Sequence, residues 1–186
     1  MALLASTAFA EEWTYWIDPC TPQAGRANGC KQDDPDLAKW ALGAWARESA
    51  GGLTFKASSS EAHARLRIRW GSGRSSLYGE ARPIMVDGLR GAEIFVQSDT
   101  AARTEPMLRD AIVYLTCLHE SGHALGLNHT QAFADIMYSF QFGGDIDEYF
   151  GRYRRKLKTR EDIRQNSGMS EADKVALRQS TRIPVN

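Results

Sequence analysis

Three of the chain's four histidines fall in one short run, His119-Glu120-Ser121-Gly122-His123-Ala124-Leu125-Gly126-Leu127-Asn128-His129. His119 and His123 are four apart, so on a helix both imidazoles project from one face, one turn above the other. That spacing suits two neighbouring ligand positions of a tetrahedral zinc. His129 lies six residues further on, and at about 100° per residue a continued helix would carry it off that face. The chain must therefore turn, and Gly126 is the residue able to take the left-handed conformation that ends a helix. Three histidine ligands leave a fourth position open for water, the mark of a catalytic zinc and not a structural one. Glu120 follows the first ligand, on the helix flank where a carboxylate reaches that water without binding the metal. The run implies one catalytic Zn2+ held by His119, His123 and His129, with Glu120 as general base.

His119-Glu120-x-x-His123-x-x-Gly126-x-x-His129, followed by Asp135-Ile136-Met137-Tyr138, resembles the metzincin signature with its Met-turn. Among metzincins it is most similar to the matrixins, the matrix metalloproteinase-type catalytic domains. The resemblance implies an α+β, zincin-like fold. Such a fold has a twisted, mostly parallel sheet of about five strands, an antiparallel edge strand and three main helices. It implies that the Met137 thioether packs beneath the imidazoles as a soft, apolar floor, with Tyr138 beside the cleft and not a ligand. Leu115, one turn before His119, stands where matrixins floor the pocket for the side chain after the scissile bond, which hints at an apolar preference. Substrate in this family adds as an extra antiparallel strand to an unpaired sheet edge. By position, Glu93-Ile94-Phe95 is assigned to that edge. Matrixins usually carry a second, structural zinc bound by further histidines, but no histidine occurs from 64 to 118, so such a site is not expected. Calcium is possible but not indicated, since oxygen ligands such as Asp87 leave no sharp pattern.

The remaining elements must position this motif. Trp13-Thr14-Tyr15-Trp16-Ile17 is aromatic and β-branched, a good first strand. Cys20 and Cys30 bracket a loop rich in Pro, Gly, Asn and Gln and are expected to form a disulfide. After Asp36, the residues Leu37, Trp40, Ala41, Ala44 and Trp45 give one apolar helix face, and Gly51-Gly52 ends it before a strand at Leu53-Thr54-Phe55. Arg65-Leu66-Arg67-Ile68-Arg69-Trp70 alternates as a half-buried strand with a solvated face, and His63 upstream reads as a surface histidine. Gly71 to Glu80 is a glycine- and serine-rich loop. Ile84-Met85-Val86 and Ala92–Gln97 read as strands about a turn at Asp87-Gly88. Pro106 opens a helix that runs into the zinc motif. Cys117, about 200° round that helix from His119, faces away from the metal as a buried thiol.

Residues 140–168 depart from the matrixin pattern, which proceeds almost directly to a last helix. The insertion holds Asp145-Ile146-Asp147-Glu148-Tyr149-Phe150 and then the basic Arg152-Tyr153-Arg154-Arg155-Lys156-Leu157-Lys158. A solvated amphipathic helix of mixed charge is the plain expectation. A specificity or docking element leaving the cleft wall is the functional one. Ser170-Glu171-Ala172-Asp173 opens a final helix with capping-box spacing.

A chain of 186 residues is long enough for one domain with a real core. Positive and negative side chains balance at 23 each, so no net field argues for nucleic acid or an acidic membrane as partner. No run approaches the length of a membrane span. Ala8-Phe9-Ala10 closes an apolar N-terminus in an A-x-A cleavage pattern, so residues 1–10 read as a signal-peptide remnant and 11–186 as a single catalytic domain. Location is then extracellular or periplasmic. The short gap before the first strand leaves no room for the family's zinc-blocking prosegment, so latency, if any, is expected to come from elsewhere, a separate protein inhibitor being one possible source. The reading is a secreted zinc endopeptidase, a monomer acting on protein or peptide substrates. Two other classes compete with it. A non-catalytic, zinc-stabilised scaffold that binds a protein partner would gain nothing by keeping Glu120. An enzyme acting on a non-peptide amide would leave the extended cleft edge idle.

Overall fold

The aromatic run near the start forms strand β1 (Glu11–Ile17), with Trp13 buried. The computed structural model describes residues 10–71, 78–99 and 105–181. The leader pattern up to Phe9 and most of the glycine- and serine-rich loop lie outside these residues. Strands β2 (Leu53–Ala57), β3 (Leu66–Trp70), β4 (Gly79–Val86) and β5 (Leu89–Val96) complete one sheet in the order β2-β1-β3-β5-β4. Pairing is parallel from β2 through β1 and β3 to β5, and antiparallel between β5 and β4. This is the expected α+β architecture.

One sequence expectation needs correction. Glu93-Ile94-Phe95 lies in β5, which is paired on both sides, and the sheet edge next to it belongs to β4, β2 being the opposite edge. The two strands flank the same two-residue turn, so position alone did not say which of them joins β3. Burial does say. Ala92, Ile94 and Val96 are fully covered, whereas Ile84 and Met85 are not.

Helix α1 (Pro22–Asn28) occupies the segment read as a loop between the cysteines. Its signals are local. Thr21 Oγ1 accepts from the Ala24 N–H, Pro22 takes the first turn, and Gly29 closes the end in the left-handed conformation. The Cys20–Cys30 disulfide is formed around it, and Cys117 is free and buried. Burial pushes the Cys117 thiol well above its usual range, which suits an inert core residue.

Helix α2 (Asp34–Glu48) buries Leu37, Ala41, Ala44 and Trp45, and packs on β2 and on helix α3 (Pro106–Ala124). The Trp45 indole N–H donates to Ser121 Oγ at 2.8 Å and to the Leu118 carbonyl at 3.1 Å. Trp45 is thus core, and it fixes α2 against the motif helix. A second link is ionic. Asp34 and Arg109, both essentially inaccessible, form a bidentate pair whose Nη2–Oδ2 bond is 2.6 Å.

The arginine face of β3 is paired as well as solvated. Arg69 bridges Glu61 and Glu93, and Arg65 is buried over the Trp13 ring at 3.7 Å. His63 is exposed, as expected.

After the Met-turn come a 3-10 turn (Phe140–Phe142), helix α4 (Ile146–Arg154), a second 3-10 turn (Arg160–Arg164) and helix α5 (Glu171–Ser180). The insertion is not simply a solvated helix. Tyr149, Phe150 and Tyr153 of α4 are buried against α3. Arg160 clamps the far end, with Nε donating to Asp110 at 2.9 Å and Nη2 to the Asp33 carbonyl at 2.8 Å.

Replacing one member of a buried ion pair leaves the other charge uncompensated. Arg109→Met is expected to lower unfolding free energy by roughly 3–5 kcal/mol, read from the urea midpoint. The Asp34→Asn, Arg109→Met double variant should recover part of that loss.

Candidate metal centre

Helix α3 carries His119 and His123 on one face and ends at Gly126, whose φ of 92° turns the chain back. Leu127 N–H then donates to the Gly122 carbonyl at 2.9 Å. His129 returns over the helix end. Thr130 pairs with the Met-turn through its N–H to the Met137 carbonyl, 2.8 Å, which holds that return in place.

The three imidazoles converge. His129 Nε2 is 3.2 Å from His119 Nε2 and 3.0 Å from His123 Nε2. Nitrogens bound tetrahedrally at ordinary zinc distances stand about 3.3 Å apart, so the donor set fits zinc. Orientation comes from the opposite ring nitrogens. His119 Nδ1–H donates to the Ile136 carbonyl at 2.7 Å, and His123 Nδ1–H to the Leu127 carbonyl at 3.0 Å. Each bond fixes the tautomer that leaves the Nε2 lone pair for a metal. Burial and the neighbouring imidazoles push His119 down to about 4, and burial lowers His123 and His129 too. All three are neutral at pH 7, the state a metal requires. No other group of His, Cys, Asp or Glu suited to a metal occurs among the described residues.

Glu120 is 7 % exposed and faces the edge strand, where its carboxylate accepts the Ala81 N–H. Burial first, then the Glu80 carboxylate, pushes it up to about 8, and the Ala81 bond opposes this. Glu80 itself forms an ion pair with Arg82 at 2.9 Å.

A cavity of about 530 Å³ opens beside the histidines and Glu120. Gly79, Glu80 and Ala81 of β4 form one side, and Leu115 and Tyr138 also line it. Tyr138 donates its hydroxyl to the Gly143 carbonyl at 2.5 Å and turns away from any ligand role. Glu93, Ile94 and Phe95 do not reach this cavity.

Phe140, Tyr149 and Phe150 complete the wall. These three were read only as part of an insertion. Their signal was the aromatic spacing Phe140, Tyr149, Phe150, Tyr153, which a solvated helix has no need of. Asp173 was read only as a capping residue. Beyond capping α5, its carboxylate accepts the Ile136 N–H at 2.8 Å and the Met137 N–H at 3.4 Å, holding the Met-turn from below.

A matrixin family model matches residues 9–147. The chain belongs to the matrixin family. A comparison with curated proteins finds no match. Family membership makes this matrixin a metalloprotease type whose cofactor is zinc and whose substrates are proteins. The match ends at Asp147, one residue past the start of α4, so Tyr149 and Phe150 lie beyond the shared pattern.

Met137 is 2 % exposed, and its sulfur lies against Gly122. A Cβ on Gly122 would stand 2.5 Å from Met137 Sδ and 3.0 Å from Trp45 Cζ2. Gly122→Ala is therefore expected to destabilise the matrixin by about 1–3 kcal/mol and to weaken zinc retention against a chelator, measured by competition titration.

Above pH 6.5 the site histidines are neutral in the folded chain, and the protons their unfolded counterparts lose around the ordinary value of 6.5 are common to wild type and Glu120→Gln. Glu120 then changes the proton count. The folded, metal-free protein keeps this proton to about pH 8, whereas the unfolded chain releases it near 4.5. Folding binds a proton in this window, so stability falls as pH rises through 8. In chelator, the melting temperature of wild type should drop relative to Glu120→Gln between pH 6.5 and 8.5. Parallel curves would reject this.

Proposed function

We propose that the protein is a secreted zinc endopeptidase that cleaves extended segments of protein substrates, with Glu120 as general base. The observation that carries this reading is the Glu120 carboxylate, buried beside three converged Nε2 atoms and facing the free edge strand. Zinc, when bound by His119, His123 and His129, supplies Lewis acidity that lowers the pKa of water and polarises a carbonyl.

The chain's own groups do the rest. Glu120 takes the proton of the attacking water and delivers it to the leaving amine. Its raised pKa in the metal-free site reflects a poorly hydrated carboxylate, which holds a proton readily once it has accepted one. The outer edge of β4 offers backbone donors and acceptors that align an extended peptide across the site. Leu115, Tyr138, Phe140, Tyr149 and Phe150 offer an apolar, aromatic pocket to the side chain after the scissile bond. The Cys20–Cys30 disulfide supports an oxidising location.

Wild type should cleave a mixed peptide library with a large apolar residue after the scissile bond. Glu120→Ala should keep one zinc per chain and lose about 10²–10⁴-fold in kcat/KM. Zinc bound by both proteins with no cleavage by either would favour a binding scaffold instead.

A further inference from the structure

Strand β4 pairs with β5 on one side, and among the described residues nothing pairs with its other side. The direction of each backbone group along that free edge follows from the register. Asp87 and Gly88 form a two-residue turn with positive φ at both positions. The flanking Val86 and Leu89 are therefore a pair that exchanges backbone bonds. Alternation then points the groups of Glu80, Arg82 and Ile84 inward, and those of Gly79, Ala81, Pro83 and Met85 outward. Two contacts agree. The Tyr78 carbonyl accepts from Gln97 N–H on the inner side, and the Ala81 N–H reaches Glu120 on the outer side.

Pro83 thus occupies an outward position. A proline there costs β4 none of its pairing with β5. Its missing donor falls on the free edge, where the ring Cδ stands in place of an N–H.

We infer that Pro83 ends the substrate ladder on the N-terminal side of the scissile bond, making it a specificity-determining residue. The inference rests on the endopeptidase reading. A peptide antiparallel to β4 runs backwards as β4 runs forwards. Gly79, Glu80 and Ala81 line the metal cavity, while Pro83 and Met85 lie further along toward the hairpin tip. The peptide residues facing Pro83 and Met85 are therefore N-terminal to those at the metal. The one facing Pro83 meets a ring carbon where its carbonyl needs a donor, so recognition stops there. Met85, 69 % exposed, is left outside the ladder. The enzyme consequently reads a short stretch before the cut and is indifferent to what precedes it.

The test is kcat/KM for wild type and Pro83→Ala on nested peptides around one cleavage site, lengthened one residue at a time from either end. Short peptides should behave alike with both proteins. Peptides extended N-terminally past the Pro83 position should gain roughly 2- to 10-fold with Pro83→Ala, the effect of one recovered backbone hydrogen bond. Adding Met85→Pro to Pro83→Ala should cancel part of that gain. An equal change for short and long peptides, no change, or a gain on C-terminal extension would overturn the inference. So would aggregation of Pro83→Ala at unchanged kcat/KM, which would make the proline only a guard of the edge. If wild type cleaves no peptide, the endopeptidase reading fails. The affinities of the same peptides then judge Pro83, and equal Kd values for both proteins would overturn its role.

Discussion

The peptide unit around Ile136 is the point on which the site depends. Its carbonyl takes the His119 Nδ1–H and, at 3.3 Å, the Tyr149 hydroxyl, while its N–H is given to Asp173. Three separate elements meet there: the motif helix, the insertion and the last helix. A buried backbone group left without partners costs more than any one bond gains. The Met-turn is accordingly held where its bonds are complete, and His119 is held with it. The metal-binding geometry is thus a property of tertiary packing as much as of the five-residue helical spacing.

This division explains which parts of the protein were legible in the sequence. The convergence of the three histidines followed from spacing and from one glycine, because helix periodicity is local and Gly126 has few other uses at that position. The strand run at β1, the α2 face and the alternation in β3 were legible for the same reason. Sheet order was not local. Leu89 to Val96 and Gly79 to Val86 flank one turn, and only the covering of Ala92 and Ile94 by neighbours decides which strand is interior. The α1 helix was missed although its caps were present, because Pro, Gly and Asn also signal loops. Asp173 could be read as a capping residue, yet its reach to Ile136 joins positions 37 apart in the chain.

The buried charges show a related pattern. Asp34, Arg109, Asp110 and Arg160 connect α2, α3 and the insertion through one chain of ion pairs. Such pairs add little net stability compared with apolar packing, but they tolerate few alternative arrangements. The insertion is therefore registered against the helices at its far end by charge and at its near end by aromatic rings. Between these anchors α4 stands as a fixed wall of the cleft.

Tyr149 gives that wall an unusual property. It lines the cavity beside the histidines and also a separate cavity of about 210 Å³ behind it, and Leu115 is the other residue common to both. These two side chains thus form the partition between the two spaces. Yet the hydroxyl of this same tyrosine is shared between the Asp135 carbonyl at 3.0 Å and, at 3.3 Å, the Ile136 carbonyl that orients His119. Pocket depth and metal affinity are coupled variables at this residue. A lineage altering the wall at position 149 to accept longer side chains would retune its own metal centre in the same step, whereas changes at Leu115 would leave that carbonyl alone.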